Sequence, residues 1–432
     1  MNIWLVIIST LFFGFIAWRK RDISIALLIA LAPAYQLRFT VWFIPMTFLE
    51  VMVLVVAVVW LFKTLVEKKW KEIRWPWWGL TLAFILSGVL AVLISPDTRA
   101  ALGLFKAYVL EPVLFFYAFV NSMRSPRQWR MVIWALGASV LVTGFFALLQ
   151  YLNLFPGVEP YISQVPKRAT SLFPFPTAIG KYVGPILALF LGYVLAKVKV
   201  QGTQEAAMPA DRSKNLKKLY EGVFFWGVIG FGFLGLVLSF SRGALIGVFA
   251  SLVFISFFSM WKKWLWAGLG LIIVISLLLP FTRHEIISVF TVSDTSADVH
   301  VVMWKGAIRI IEAHPLAGTG LASFPIVYEK YKEASHTEFF PNPDELIFTL
   351  WIEMGLAGLV IFFWIVVKFF AAGISLLKTQ NAYAVGLLAA MVALVVHGFF
   401  DTPYFKNDLA IIFWALAGLI VMVHSAEHPE IE

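Results

Sequence analysis

The chain has 432 residues, of which 61 % are hydrophobic and only 14 % charged, and its mean hydropathy is +0.86. Soluble globular proteins carry about 25 % charged residues, so the composition excludes that class and calls for a protein that crosses a bilayer many times. Cysteine is absent, which excludes thiolate catalysis, disulfides and cysteine-held zinc or iron–sulfur centres. The net charge of +9 is not a nucleic-acid footprint, because the basic residues sit in short runs between apolar blocks.

A membrane helix needs about 20 mostly apolar residues. In chain order the candidate blocks are 2–18, 23–36, 44–63, 76–95, 103–121, 131–152, 178–196, 222–240, 243–260, 264–281, 346–370, 382–400 and 409–425. The expectation is an all-α integral membrane protein with 12–13 transmembrane helices, 13 preferred. The second block is short and ends at Pro33, so it reads as a half-span or a re-entrant piece. The first block lacks a basic leader and a small-residue cleavage site, and reads as a retained helix.

Lys and Arg set the orientation. Arg19-Lys20-Arg21, Lys63 to Arg74, Arg124/Arg127/Arg130, Lys197 to Lys218, Lys262-Lys263 and Lys368/Lys378 fall at every second boundary between blocks. That places those boundaries and the C-terminus in the cytoplasm and the N-terminus outside. Three regions follow: an N-terminal bundle over 1–281, a long extracytoplasmic loop over 282–345, and C-terminal helices with a short tail over 346–432. Inside the loop, Trp304, Ile308 and Ile311 have helical spacing, so 299–313 is expected to be an amphipathic helix. His314-Pro315 with Gly318 and Gly320 predicts a break, and 322–334 a second short helix.

The outer side holds the residues with chemical potential. Arg242 lies in Ser239-Phe240-Ser241-Arg242-Gly243, between two apolar blocks with almost no loop. An arginine near the bilayer core is costly and usually faces a polar cavity, although at a helix end it can also reach to headgroups. Arg168, Lys167 and Lys181, with Arg38, Arg99 and Lys106, fall on the same side. Several cations around one cavity would bind a diphosphate; read singly, each neutralises an acid or a headgroup. The segment His336 to Glu345 runs straight into the block at Leu346. Asp344 and Glu345 there read either as acids favoured by a helix dipole or as a general base delivered to the cavity. His397 precedes Asp401 and reads as a polar contact at the outer end. No histidine cluster has zinc spacing, and no P-loop, dinucleotide fingerprint or nucleophile elbow is present. Neither a metal nor another cofactor is expected.

Four stretches in order carry a resemblance. They are Arg168-Ala169-Thr170-Ser171, Ser239-Phe240-Ser241-Arg242-Gly243-Ala244-Leu245, Met303-Trp304-Lys305-Gly306-Ala307 with His314 to Phe324, and Leu346 to Gly358 with Gly355-Leu356-Ala357-Gly358. Together they resemble the O-antigen ligase and polymerase superfamily of bacterial envelopes. The resemblance implies a membrane glycosyltransferase of the C-type architecture in the bacterial inner membrane, with its long periplasmic loop folded over a cavity. Its implied donor is a glycan on a polyprenyl diphosphate, and its implied acceptor a hydroxyl of lipid core, growing polysaccharide or protein. No nucleotide sugar and no metal are implied; membrane lipids, not nucleic acid, are the other partners.

Two positions depart from the family pattern. The usual His followed by Asn or a similar residue, separated by nine residues from Gly-x-x-Gly, is replaced by Asp344 and Glu345, and an arginine four residues before Trp304 is replaced by His300. The resulting expectation has Asp344 as base, assisted by His336 or Glu345, and Arg242, Arg168, Lys181 and His300 around the donor diphosphate. Two readings compete: a transporter or flippase for an anionic amphiphile, and a catalytically degenerate scaffold in polysaccharide assembly.

Overall fold

The structure is a computed structural model that describes residues 3–42, 44–204, 212–278, 295–333, 340–379 and 381–428. Each apolar block of the sequence is helical over most of its described residues, and the chain is an all-α integral membrane protein. In chain order the first half contains α1 (Ile3–Arg19), α2 (Arg21–Ala30), α3 (Phe48–Val66), α4 (Trp78–Leu93), α5 (Thr98–Phe105), α6 (Glu111–Ser122), α7 (Pro126–Tyr151) and α8 (Pro176–Gln204). The second half contains α9 (Arg212–Ser239), α10 (Arg242–Ser256), α11 (Lys262–Leu278), α12 (Thr295–Ala313), α13 (Phe324–Tyr328), α14 (Leu346–Lys378), α15 (Ala382–Gly398) and α16 (Asn407–Glu427).

Among the described residues, seven helical segments are long and apolar enough to cross a membrane: α3, the run Thr98–Ser122, α7, α14, α16, Pro176–Leu195 within α8 and Lys218–Ser239 within α9. Shorter apolar helices cover Trp4–Arg19, Trp78–Leu93, Arg242–Ser256 and Tyr383–Gly398. The ten residues of α2 reach only about 15 Å, half a bilayer core. Its continuation is a 3-10 turn at Ala32–Gln36 and a hairpin that the apolar pattern does not announce. There β1 (Arg38–Val41) pairs antiparallel with β2 (Ile44–Thr47), Arg38 opposite Thr47. The expected amphipathic helix is α12, and the expected second helix of the loop is the five-residue α13.

The core sits around α8 and α16, whose spanning windows are each 83 % buried, against 33 % for α14. α8 packs on α15 and α10, and α9 packs on α7. The rim is apolar as well: Trp4, Leu11, Phe12, Leu93 and Trp226 are exposed. Such a surface would aggregate in water and is the expected face toward lipid.

Two helices depart from regular geometry. α5 and α6 are joined by a π-helical turn at Lys106–Leu110; such turns often mark functional positions. The second departure is in α14, where Gly355 has φ +70 and ψ 178 and the helix kinks. The kink breaks the bond that would run from the Leu356 N–H to the Ile352 carbonyl. The loop after α12 restores both groups: Leu356 N donates to the Leu316 carbonyl (3.0 Å), and the Ile352 carbonyl accepts from Thr319 N (2.6 Å). A broken membrane helix survives where a neighbour re-satisfies its freed backbone groups. The fit leaves no room for side chains: a Cβ on Gly355 would lie 2.7 Å from the Leu316 and Ala317 oxygens, and one on Gly318 (φ +67) 2.6 Å from the Trp351 oxygen. Trp351 Nε1 donates to the Pro315 carbonyl (2.7 Å), and Ser95 Oγ to the Leu321 carbonyl (2.7 Å). The loop is thereby clipped to α14 and to the segment after α4.

Candidate active site

The site is built at the end of the bundle where α9 turns into α10. α9 ends at Ser239, Phe240 takes a left-handed φ of 52, and α10 starts at Arg242. The last carbonyls of a helix lack internal partners. Here the 168–171 segment supplies them: Ala169 N donates to the Leu238 carbonyl (2.9 Å) and Arg168 Nε to the Ser239 carbonyl (3.1 Å). A guanidinium at a helix C-terminus is also favoured by the dipole. The segment itself is pinned by buried Gln150, whose Oε1 accepts from Thr170 N (3.0 Å) and Ser171 N (2.6 Å). Arg168 and Arg242, 74 positions apart in the sequence, therefore share one turn. Burial and then repulsion from Arg242 push the Arg168 guanidinium below its ordinary value, while Tyr161 opposes the shift. Arg242 itself is exposed.

Behind this turn lies a buried ion pair. Lys181 Nζ on α8 meets Asp401 Oδ1 at 2.9 Å, with side chains only 9 % and 13 % exposed. The first residues of α10 pack on both partners' elements. A Cβ on Gly180 would meet Ser241 Cβ at 2.6 Å, and one on Gly243 would meet His397 Cδ2 at 2.9 Å. Burial opposes the Asp401 charge, but Lys181, His397 and the Thr402 N–H hold its carboxyl below the usual range.

Asp344 lies within electrostatic range of this pair. Its backbone has a left-handed φ of 46 and is held by hydrogen bonds on both sides. Asn342 Oδ1 accepts from Asp344 N (2.9 Å), and the Pro343 carbonyl accepts from Trp304 Nε1 (3.2 Å). Next, Glu345 caps α14, its two oxygens accepting from Ile347 N (3.0 Å) and Phe348 N (2.7 Å). Leu346 then packs on Gly398 at the end of α15. Burial first, and then the negative charge of Asp401, raise the Asp344 pKa; Lys181 and His300 pull it down less strongly. The Asp344 carboxyl has no side-chain hydrogen bond among the described residues.

The expected site residues thus fall into distinct positions. Arg242 and Arg168 come together at one turn; Lys181 and His300 each come within electrostatic range of Asp344. Lys181 is already engaged by a carboxylate, and Glu345 spends its oxygens as a helix cap. His336 lies outside the described residues. Of the remaining outer cations, Lys106 pairs with Glu50 (3.2 Å) and Lys167 donates to the Tyr151 carbonyl (3.0 Å) and Asn153.

The sequence reading missed two neighbours. Asp401, which the sequence suggests only as a contact for His397, partners Lys181. Lys406 was not singled out. It lies in a cage of Tyr35, Phe173 and Phe175, with Nζ 4.5, 4.7 and 5.5 Å from the ring centres, and 3.8 Å from Asp408 Oδ2. Burial, then Lys181 and Arg38, lower its pKa to about 8 against the pull of Asp408 and Asp401. The available signal was a loop of eight residues, 401–408, carrying three charges between two apolar blocks. Among the described residues, no group of three His, Asp or Glu side chains is placed to hold a metal ion.

The comparison with protein families falls on the same residues. The O-antigen ligase family model matches residues 227–363. Over that stretch, about a third of its length, the chain is similar to the O-antigen ligase family. The matched segment holds three of the four stretches quoted above, and the fourth, at Arg168, is hydrogen-bonded to it. No curated protein matches the chain. The likeness supports an O-antigen ligase-like function in general terms.

Proposed function

We propose that the protein transfers a glycan from a polyprenyl-diphosphate donor to a hydroxyl acceptor, at the membrane face that carries Arg242 and Asp344. The carrying observation is the meeting of Arg168 and Arg242 at the α9–α10 turn, next to the elements that present Asp344. Two guanidiniums on a rigid turn suit the two phosphates of the donor. They would stabilise the negative charge that grows on the leaving diphosphate as the glycosidic bond breaks.

Asp344 takes the role of base. It accepts the proton of the acceptor hydroxyl, whose oxygen attacks the anomeric carbon; in-line attack inverts that centre. A carboxylate raised by burial and by Asp401 is a stronger base than an ordinary aspartate. Glu345 serves as the cap that fixes Asp344 at the mouth of α14, and the Lys181–Asp401 pair sets the local field. Basic residues at every second boundary between apolar blocks support a reading in which the reacting face lies outside.

The test is a transfer assay in reconstituted membranes, with a polyprenyl-diphosphate-linked glycan and a lipid or glycan acceptor. Arg242→Lys should slow transfer, because a point charge does not replace a bidentate fork. Asp344→Asn should abolish transfer while donor binding persists. Unchanged transfer in Asp344→Asn would remove it as the base, and substrate movement across sealed vesicles without transfer would favour a transporter.

A further inference from the structure

Between α2 and α3 the chain leaves the helical bundle and forms the β1–β2 hairpin. Its register sorts the side chains by face. Phe39 opposite Met46 and Val41 opposite Ile44 share one face, which is apolar throughout; Arg38 opposite Thr47 and Thr40 opposite Pro45 share the other. The apolar face is half-buried at Phe39 and Met46 and exposed at Val41 and Ile44. Trp42, in the turn, has a left-handed φ of 57 and is 92 % exposed.

The base of the hairpin is fixed. Thr47 caps α3 in a reciprocal box: Glu50 N donates to Thr47 Oγ1 (3.2 Å) and Thr47 N to Glu50 Oε2 (2.8 Å). Phe48 N donates to the Leu37 carbonyl (3.0 Å). Lys106 Nζ, from the π-helical turn, donates to the Pro45 carbonyl (3.2 Å).

The level of the hairpin follows from α3. The 19 residues of that helix climb about 28 Å, close to the hydrocarbon thickness of a bilayer, about 30 Å. β2 runs directly into α3, so the hairpin lies where that helix leaves the hydrocarbon. α1 marks the same boundary. It ends beside the last turn of α3, where Lys63 Nζ donates to the Trp18 carbonyl. Its first residues, among them exposed Trp4 and Leu5, therefore stand at the hairpin's end of the bundle. Tryptophans at such a level mark a membrane interface.

Two costs leave one place for the tip. In water a two-stranded hairpin is marginal, and this one would expose an apolar face continuous with the apolar rim of the bundle. In hydrocarbon the outward N–H and C=O groups of both strands would go unsatisfied. The interface supplies water to the backbone and the polar face, and acyl chains to the apolar face.

We infer that the β1–β2 hairpin docks on the lipid surface: it lies in the headgroup layer with Val41, Trp42 and Ile44 turned toward the acyl chains and Arg38 and Thr40 toward water. The inference does not depend on the glycan-transfer reading.

The chain has no cysteine, so single cysteines report on each face. Thr40→Cys, Val41→Cys, Trp42→Cys and Ile44→Cys, all at exposed positions, are labelled with an environment-sensitive fluorophore in the full chain. The chain is reconstituted in vesicles of phosphatidylglycerol and phosphatidylethanolamine, and Leu11→Cys, exposed on α1, gives the hydrocarbon reference. Labels at 41, 42 and 44 should show blue-shifted emission and lose intensity to lipids with a nitroxide high on the acyl chain. The label at 40 should emit further to the red and lose intensity to acrylamide in the water. Red-shifted, acrylamide-quenched labels at 41, 42 and 44 would place the tip in water and overturn the inference. Equal acyl-chain quenching at 40 and 41 would remove the two-faced arrangement and overturn it as well. Blue-shifted labels that nitroxide lipids do not quench, with disulfide-linked dimers of unlabelled Trp42→Cys, would assign the face to a second copy of the chain and overturn the lipid assignment.

Discussion

The two ends of the bundle use the same residue types in opposite ways. Around Asp344 the charges are buried and matched: Lys181 and Asp401 are 9 % and 13 % exposed. At the Arg21 end the ion pair is open, with Lys69 and Glu67 at 55 % and 43 %. Water and salt screen the second pair and leave the first almost untouched. A lysine–carboxylate pair is thus a structural strut at one end and a solvated rim at the other. The difference comes from the helices behind each pair. α8 and α15 bring Lys181 and Asp401 into the core, whereas Lys69 and Glu67 follow the end of α3 into solvent.

The largest expected effect tests the buried pair. Asp401→Ala leaves Lys181 charged and unpaired, which typically costs about 3–5 kcal/mol. Thermal unfolding in detergent should show a loss of that size, and replacing Lys181 with Met as well should recover much of it. No recovery in the double variant would mean that Asp401 acts through other partners.

Gly355→Ala comes next. The left-handed backbone would cost about 1–3 kcal/mol, and the added carbon would strike the Leu316 and Ala317 carbonyls. Protease sensitivity of the 314–323 loop should rise, and transfer activity should fall with it. A variant with full activity and an intact loop would show that the kink is not needed to place Asp344.

A third effect depends on pH. The folded Lys406 loses its proton near 8, whereas an unfolded lysine holds it to about 10.4. Between those values the unfolded chain binds the extra proton, so stability rises with pH across that window. Melting temperatures of wild type and Lys406→Met should converge as pH rises from about 8 to about 10.4. A constant gap would mean that the lysine keeps its charge in the cage. The smallest effect belongs to Lys69→Ala, expected at under about 1 kcal/mol and further reduced by salt. A loss as large as that of Asp401→Ala would erase the contrast between the two ends.

Much of this architecture was legible in the chain itself. Apolar blocks of membrane length became helices because a bilayer leaves the backbone no other way to satisfy its own donors and acceptors over such a span. The amphipathic spacing of Trp304, Ile308 and Ile311 became α12, and the Pro and Gly residues after it became the break. Arg168, Arg242 and Asp344 were identifiable because charge beside apolar sequence is expensive and demands a purpose.

What the chain did not reveal was which groups would meet. The Leu356 amide finds the Leu316 carbonyl only because α14 is bent at Gly355, and nothing in the local pattern distinguishes that glycine from others in membrane helices. Lys181 finds Asp401 across 220 positions, and Lys406 finds an aromatic cage drawn from two separate segments. Hydropathy and helical period are local and could be read along the chain. The partner of a buried charge depends on how helices pack side by side, and only the folded bundle decides that.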